Sequence, residues 1–167
     1  MSRRATGAVL TMLLACGCGR NPPLPEETKP LPTTMFERFP LSGNMVNATA
    51  AGFGACLDGN YGLRCRKEQV TVMGVGPLSA AVDFDAAPKG APARFDHLTL
   101  WQAGDQGAVL DLGMALKKAG WQSCLTPDEE RYWTPSSPVR VAIDTNYWSI
   151  RRVIVRAAAA NAKAYCP

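Results

Sequence analysis

The chain of 167 residues is 47% apolar and 19% charged, with 18 lysines and arginines against 14 acidic residues. This composition excludes a disordered chain, and so weak a positive charge argues against nucleic acid as a partner, since nucleic acid prefers a dense basic face. Six cysteines in a chain of this length favour an oxidising compartment over the cytosol.

The N-terminus has the layout of an export signal. Arg3 and Arg4 precede an uncharged stretch over residues 5–15, which is too short to span a bilayer. The segment Leu13-Leu14-Ala15-Cys16 that ends this stretch resembles the lipobox of bacterial lipoproteins.

The lipobox resemblance implies cleavage after Ala15 and attachment of diacylglycerol to the thiol of Cys16, so that a lipid holds the chain on a membrane. Gly17, rather than Asp, follows the cysteine, which in the lipoproteins it resembles implies the outer membrane, with the domain facing the periplasm. Two alternatives remain open: ordinary secretory cleavage, which releases a soluble protein, and an uncleaved segment that acts as an anchor.

A proline-rich segment follows the cysteine. Six prolines lie between Arg20 and Pro40, and such density blocks helices and sheet ladders and favours extended chain. We therefore predict a signal peptide over residues 1–15, a lipidated cysteine with its tether over 16–43, and one globular domain over 44–167. No internal repeat is apparent.

Hydrophobic periodicity predicts the elements of the globular part. Strand-like runs lie at 70–75, 79–84, 94–102, 121–125, 131–134, 139–144 and 149–156, and the last two predict a hairpin. A single stretch, between Asp105 and Gly120, has helical spacing, with Val109, Leu112 and Leu116 on one face. This order predicts an α+β fold in which one main helix packs on a small antiparallel sheet.

Four cysteines belong to the predicted domain, and export makes two disulfides the expected outcome. Three pairings are possible for Cys56, Cys65, Cys124 and Cys166. Turn-forming residues between Cys56 and Cys65 favour a stapled hairpin there, which leaves Cys124 for Cys166. None of the four cysteines has the C-x2-C spacing typical of a zinc site.

Residues for catalysis are scarce. His97 is the single histidine and alternates within a predicted strand beside Asp96, and no G-x-S-x-G motif is present. Asp83 and Asp85 share a face at the end of a strand, where carboxylates are ordinarily solvated. We therefore expect no catalytic residue, no metal site and no cofactor.

Aromatic and arginine side chains supply the candidate binding surface. In an extended chain one member of each adjacent aromatic pair faces away from the core, and exposed Trp, Tyr and Arg are typical of protein-binding hot spots. The candidate partner-binding residues are Tyr132, Trp133, Tyr147, Trp148, Arg151 and Arg152. The alternative is that the rings are buried in the core and the arginines only solvate the sheet.

These features predict a lipid-anchored protein of the bacterial envelope that acts as a non-catalytic protein-binding module. An inhibitor or immunity lipoprotein against an envelope-targeting toxin has this organisation. A structural, assembly or secretion-accessory lipoprotein of the envelope is the alternative, and an enzyme is the third class.

The lipobox predicts the outcome of one substitution. Cys16→Ala removes the thiol that accepts the lipid, so we expect unprocessed precursor without diacylglycerol, measured by intact mass and detergent partitioning. Cys18→Ala is the control, because Cys18 lacks a leucine three positions before it and its loss should leave maturation normal. Normal processing of the Cys16 variant would rule out the lipobox.

Overall fold

The computed structural model describes residues 29–59, 62–85, 93–104, 106–145 and 150–158. The elements in chain order are β1 (Met35–Phe36), β2 (Phe39–Pro40), α1 (Met45–Ala50), β3 (Gly54–Gly59), β4 (Gly62–Val72), β5 (Val75–Phe84), β6 (Phe95–Trp101), α2 (Gly107–Lys118), β7 (Gln122–Leu125), β8 (Glu129–Trp133), β9 (Val139–Asp144) and β10 (Arg152–Ala157). Neither of these helices has the length and apolar character that crossing a bilayer requires.

The main structure is an antiparallel sheet of eight strands in the order β3-β4-β5-β6-β10-β9-β8-β7, and β1 and β2 form a separate ribbon. The protein is therefore mostly β, and the prediction of an α+β fold with a small sheet is wrong. Strand β3 and the first part of β4, for which the hydrophobic periodicity predicted no strand, contribute to the difference. The segment Leu63–Gln69 of β4 carries charged residues, and its register shifts between Lys67 and Val70, so its alternation is hard to recognise in the sequence.

The sheet is built from two halves with the same plan, each a helix followed by a four-stranded meander. Two short segments occupy equivalent places, Ala51–Leu57 (AGFGACL) and Ala119–Leu125 (AGWQSCL), and four of their seven positions are identical. Each segment runs from the end of a helix into an edge strand. The chain thus contains a short internal repeat, contrary to the sequence analysis.

The two helices end in the same way. After α2, the N–H groups of Gly120 and Trp121 donate to the carbonyls of Lys117 and Leu116, at 3.0 and 3.1 Å. After α1, Gly52 and Phe53 repeat this pattern of hydrogen bonds. Both glycines have a φ of +83°, which is the left-handed conformation that this type of C-cap requires. The predicted end of α2 at Gly120 is confirmed.

The core lies on the face of the sheet that packs against α2. Val109, Leu112 and Leu116 are fully buried, as their helical spacing predicts. They share one buried cluster with alternate residues of the central strands, which include Leu98, Leu100, Val141, Val153 and Val155. The predicted hairpin of β9 with β10 is confirmed, and its valines face this core.

Part of the predicted tether belongs to the folded body. Phe36 and Phe39 are buried in the core, although they lie within residues 16–43. Asn47, on α1, accepts a hydrogen bond from the Leu31 N–H and donates one to the Leu31 carbonyl, at 3.1 and 3.0 Å. Asn44 donates to the carbonyl of Lys29 at 2.9 Å. Two buried asparagines thus hold the incoming chain, a constraint that proline content does not indicate.

The described residues contain one complete disulfide, Cys56–Cys65, where the sequence predicted two. This disulfide links edge strand β3 to β4, and the prediction of a stapled hairpin at this place is confirmed. Cys124 is not free. Cys166, its predicted partner, lies outside the described residues.

Gly113 marks a close approach of α2 to the sheet. A Cβ at this position would lie 2.8 Å from the Tyr132 Oη and 3.3 Å from the Ile143 Cδ1. Alanine is the better helix former by about 1 kcal/mol, yet we expect Gly113→Ala to lower the free energy of unfolding by about 1–3 kcal/mol in urea, because the buried tyrosine has to move.

Two variants serve as controls for this prediction. Met114 is 62% exposed on the outer face of α2, so Met114→Ala should change the free energy of unfolding by no more than about 0.5 kcal/mol. In a Tyr132→Phe background the additional cost of Gly113→Ala should shrink. A gain in stability from Gly113→Ala alone would contradict the close approach.

Candidate functional site

The face of the sheet opposite α2 is rich in arginine, and we call it the arginine face. Period-two alternation with buried neighbours places these side chains there. They are Arg64 and Arg66 on β4, Arg131 on β8, Arg140 on β9, and Arg152 and Arg156 on β10. Carboxylates share the face, so its arginines divide into those that have an acidic partner and those that have none.

A cluster around His97 joins several strands of the arginine face. Asp83 lies between two cations: its Oδ1 is 2.5 Å from the Arg64 Nε, and its Oδ2 is 3.2 Å from the His97 Nε2. The other nitrogen of the ring, Nδ1, is 2.5 Å from the Asp96 Oδ2. Arg156, on β10, approaches Asp96 at 3.5 Å. The cluster therefore links β4, β5, β6 and β10 through alternating charges.

The charges of this cluster stabilise one another. Burial alone would raise the pKa of Asp83, but hydrogen bonds from His97, Arg64 and Thr99 outweigh it and lower this pKa to about 2. Burial alone would lower the pKa of His97, but its hydrogen bonds with Asp83 and Asp96 raise this pKa above 6.5. Both ring nitrogens face carboxylates, so the imidazolium is the form that the site favours.

The cluster does not have the geometry of a nucleophilic centre. The Thr99 hydroxyl donates to the Asp83 Oδ2 at 2.8 Å. Within the described ranges, no hydroxyl or thiol is hydrogen-bonded to a nitrogen of His97. Two carboxylates already occupy the ring nitrogens, whereas a general base needs a free nitrogen next to the nucleophile. The contacts of His97 are those of a structural ion pair.

A cavity of about 440 Å³ opens beside this cluster, and its lining includes Asp58 and Asp85 together with Asp83 and Asp96. In the part of the chain that the structure describes, no three His, Cys, Asp or Glu side chains are placed to hold one metal ion. Four carboxylates thus line the cavity, and two of them, Asp83 and Asp96, are already paired with His97.

A second group on the arginine face is built around Trp101, on β6. The guanidinium of Arg66 lies 5.8 Å from the centroid of the Trp101 ring. Arg152 is the register partner of Trp101 on β10. Both arginines are exposed and the ring is half-buried. Within the described residues neither guanidinium forms an ion pair, so the group carries two uncompensated charges beside an aromatic ring.

The predicted binding residues differ in how exposed they are. Tyr132 is 1% exposed, and its pairing with Val141 turns its side chain towards α2 and away from any partner. Trp133 is half-buried on the arginine face, next to Arg140 in register. Arg152 is exposed, as expected of a binding residue. Arg151 is half-buried, and its N–H donates to the Gln106 Oε1 at 3.2 Å.

Like Cys166, the predicted residues Tyr147, Trp148 and the lipidation residue Cys16 lie outside the described residues. Two residues of the site were missed, Arg66 and Trp101. The alternation of β6 could have identified Trp101, because it follows His97 and Thr99 on the same face. Arg66 had no comparable signal, since it reaches Trp101 across β5.

No family model matches the chain, and no curated protein or solved structure is similar enough to count as a match. Its function therefore has to be inferred from the chemistry of its own residues.

The cluster around His97 predicts a dependence of stability on pH. Asp83 has a lower pKa in the folded chain, so its contribution, on the order of 2 kcal/mol, is present above pH 3.8 and is lost as the pH falls towards 2. His97 has a raised pKa, so its contribution is present below pH 6.5 and is lost as the pH rises through the folded value. We expect urea unfolding to show maximal stability between these limits.

His97→Gln is the control for the alkaline side of this profile. The variant should be less stable than the wild type at pH 5.5, and the difference should shrink as the pH rises towards 9 and the wild-type imidazole loses its proton. A difference that stays constant between these two pH values would show that the charge of His97 contributes nothing to stability.

Proposed function

We propose that this protein is a lipid-anchored component of the bacterial envelope that binds a protein partner and performs no catalysis. The lipobox resemblance at Cys16 supports the anchor, the outer membrane and a periplasmic domain. An inhibitor or immunity protein that neutralises an envelope-targeting toxin is the form of binding module that we favour.

The observation that carries the proposal is the group of Arg66, Trp101 and Arg152 on the arginine face. Arginine and tryptophan are the residue types most enriched in binding hot spots, where an aromatic platform lies beside a charge. The His97 cluster, by contrast, has its charges compensated and lacks a nucleophile among its described contacts. The face therefore supplies chemistry for recognition and no apparatus for bond cleavage.

The number of residues between Cys16 and the body limits how far the domain can lie from the membrane. Leu31 is already held by Asn47, so residues 17–28 are the spacer between Cys16 and the body. Fully extended, these twelve residues span at most about 40 Å. The proposal thus keeps the domain that carries the arginine face close to the membrane that holds the lipid.

Site-specific photocross-linking in cells tests the proposal. The photocross-linking residue p-benzoylphenylalanine is introduced at position 79. This position lies on the arginine face, because Ser79 is the register partner of Trp101 on β5. The matched control carries the same residue at position 110, on the outer face of α2, where Leu110 is 48% exposed. We expect a covalent adduct with one envelope protein from position 79 and none from position 110.

Two outcomes would contradict the proposal. The absence of any adduct from position 79 would remove the arginine face as a protein-binding surface. Adducts of equal yield from positions 79 and 110 would show random encounters on the membrane.

A further inference from the structure

We infer that Arg66, Trp101 and Arg152 bind an acidic segment of a partner protein in which an apolar side chain lies between two carboxylates. The inference rests on the proposed function and names the chemistry of the partner at that same surface. It follows from the spacing of the two arginines, from the small residue that separates Arg66 from the ring, and from the difference between these arginines and their neighbours.

The group is assembled from three strands. Trp101 lies opposite Ser79 on β5 and opposite Arg152 on β10. Arg66 starts two strands away from Trp101, opposite Ala81. Because alanine has no side chain beyond Cβ, the arginine extends over it and reaches the ring. The two arginines thus belong to strands on opposite sides of Trp101.

The arginines of this group differ from the others on the face. Arg64 pairs with Asp83, Arg131 with Glu129, and Arg156 with Asp96. Arg140 donates hydrogen bonds to two backbone carbonyls. Arg66 contacts the Trp101 ring through its guanidinium, and Arg152 forms no side-chain hydrogen bond or ion pair within the described residues. Two exposed cations of one surface thus remain available to an acidic partner.

Two carboxylates lie near the group and neither neutralises it. Glu68, on β4, accepts a hydrogen bond from the Ser79 hydroxyl and forms no ion pair with Arg66. Asp144 ends β9 on the arginine face, and it has an interaction of its own. Within the described residues neither carboxylate lies within salt-bridge distance of Arg66 or Arg152.

The spacing of the group favours a protein segment over a single phosphate. Arg66 and Arg152 lie on strands three spacings apart, about 14 Å, and are offset by two residues along the strands, so their Cα atoms are about 16 Å apart. The Arg66 side chain covers part of this distance, since its guanidinium already lies beside Trp101, but a phosphate between the two arginines would supply no apolar group to cover the ring. In an extended peptide, alternate side chains share a face, and positions i and i+4 lie about 13 Å apart. Glutamates at these positions would meet the two arginines while an apolar residue at i+2 covers Trp101.

The test uses the mature lipoprotein in detergent and the peptide acetyl-Gly-Glu-Ser-Leu-Ser-Glu-Gly-amide as the probe. NMR signals of the tryptophan indole N–H and arginine Nε–H groups report binding even when it is weak. We expect Arg66→Gln/Arg152→Gln to weaken peptide binding at least about tenfold, because the charge-assisted hydrogen bonds to carboxylates are lost. Trp101→Ala should weaken binding as well, whereas Trp101→Phe should retain part of it.

The matched control is Arg94→Gln/Lys118→Gln. It removes the same charge from two exposed positions outside the group, and it should bind the peptide as the wild type does. Thermal unfolding of every variant shows whether the fold is retained. A peptide with Gln in place of both Glu residues should not bind.

Several results would overturn the inference. The Arg66→Gln/Arg152→Gln variant could bind the peptide as tightly as the wild type does, or the wild type could bind the glutamine peptide as tightly as the glutamate peptide. The wild type could also bind no peptide at all. Binding to vesicles of phosphatidylglycerol and phosphatidylethanolamine in place of the peptide, through the same two arginines, would assign the surface to lipid headgroups.

The photocross-link from position 79 separates this inference from the function on which it rests. If the adduct persists in the Arg66→Gln/Arg152→Gln variant, the proposal of a protein partner is retained, but the inference of an acidic segment in that partner is wrong. If the wild type forms no adduct, the proposed function is contradicted, whether or not the peptide binds.

Discussion

The antiparallel pairing of β6 with β10 is the constraint on which the rest of the structure depends. Leu98 pairs with Val155 and Leu100 with Val153, and all four side chains are fully buried. Each half of the sheet is a meander of locally paired strands, whereas this contact joins strands that are far apart in sequence. Such a closure costs chain entropy, and the apolar area that the four residues bury with α2 offsets this cost.

The same pairing determines the composition of the arginine face. It brings Arg152 beside Trp101, and it brings Arg156 within reach of Asp96 and His97. The two groups differ in physical character. Half-buried charges around His97 are compensated because an unpaired charge there would be costly, whereas exposed arginines beside Trp101 keep their hydration and cost the fold little. One part of the face therefore stabilises the sheet, and the other remains available for binding.

Individual residues show where reasoning from sequence succeeded and where it did not. The spacing of Val109, Leu112 and Leu116 predicted the buried face of α2, and Gly120 predicted its end, because both signals act within a few turns of chain. Tyr132 was wrongly assigned to a binding surface, because which member of an adjacent pair is buried depends on its register with Val141. Phe36 and Phe39 were assigned to a tether because prolines surround them, while their burial depends on distant parts of the core.

The sequence by itself determined the local features: the limits of α2, the β9–β10 hairpin and the Cys56–Cys65 disulfide. Each depends on residues close together in the chain, whose turn chemistry and periodicity act without the rest of the molecule. Tertiary structure decided the order of the eight strands and therefore the meeting of Arg66, Trp101 and Arg152 on three of them. Strand order depends on which apolar faces bury one another across the whole chain, and no local pattern contains that information.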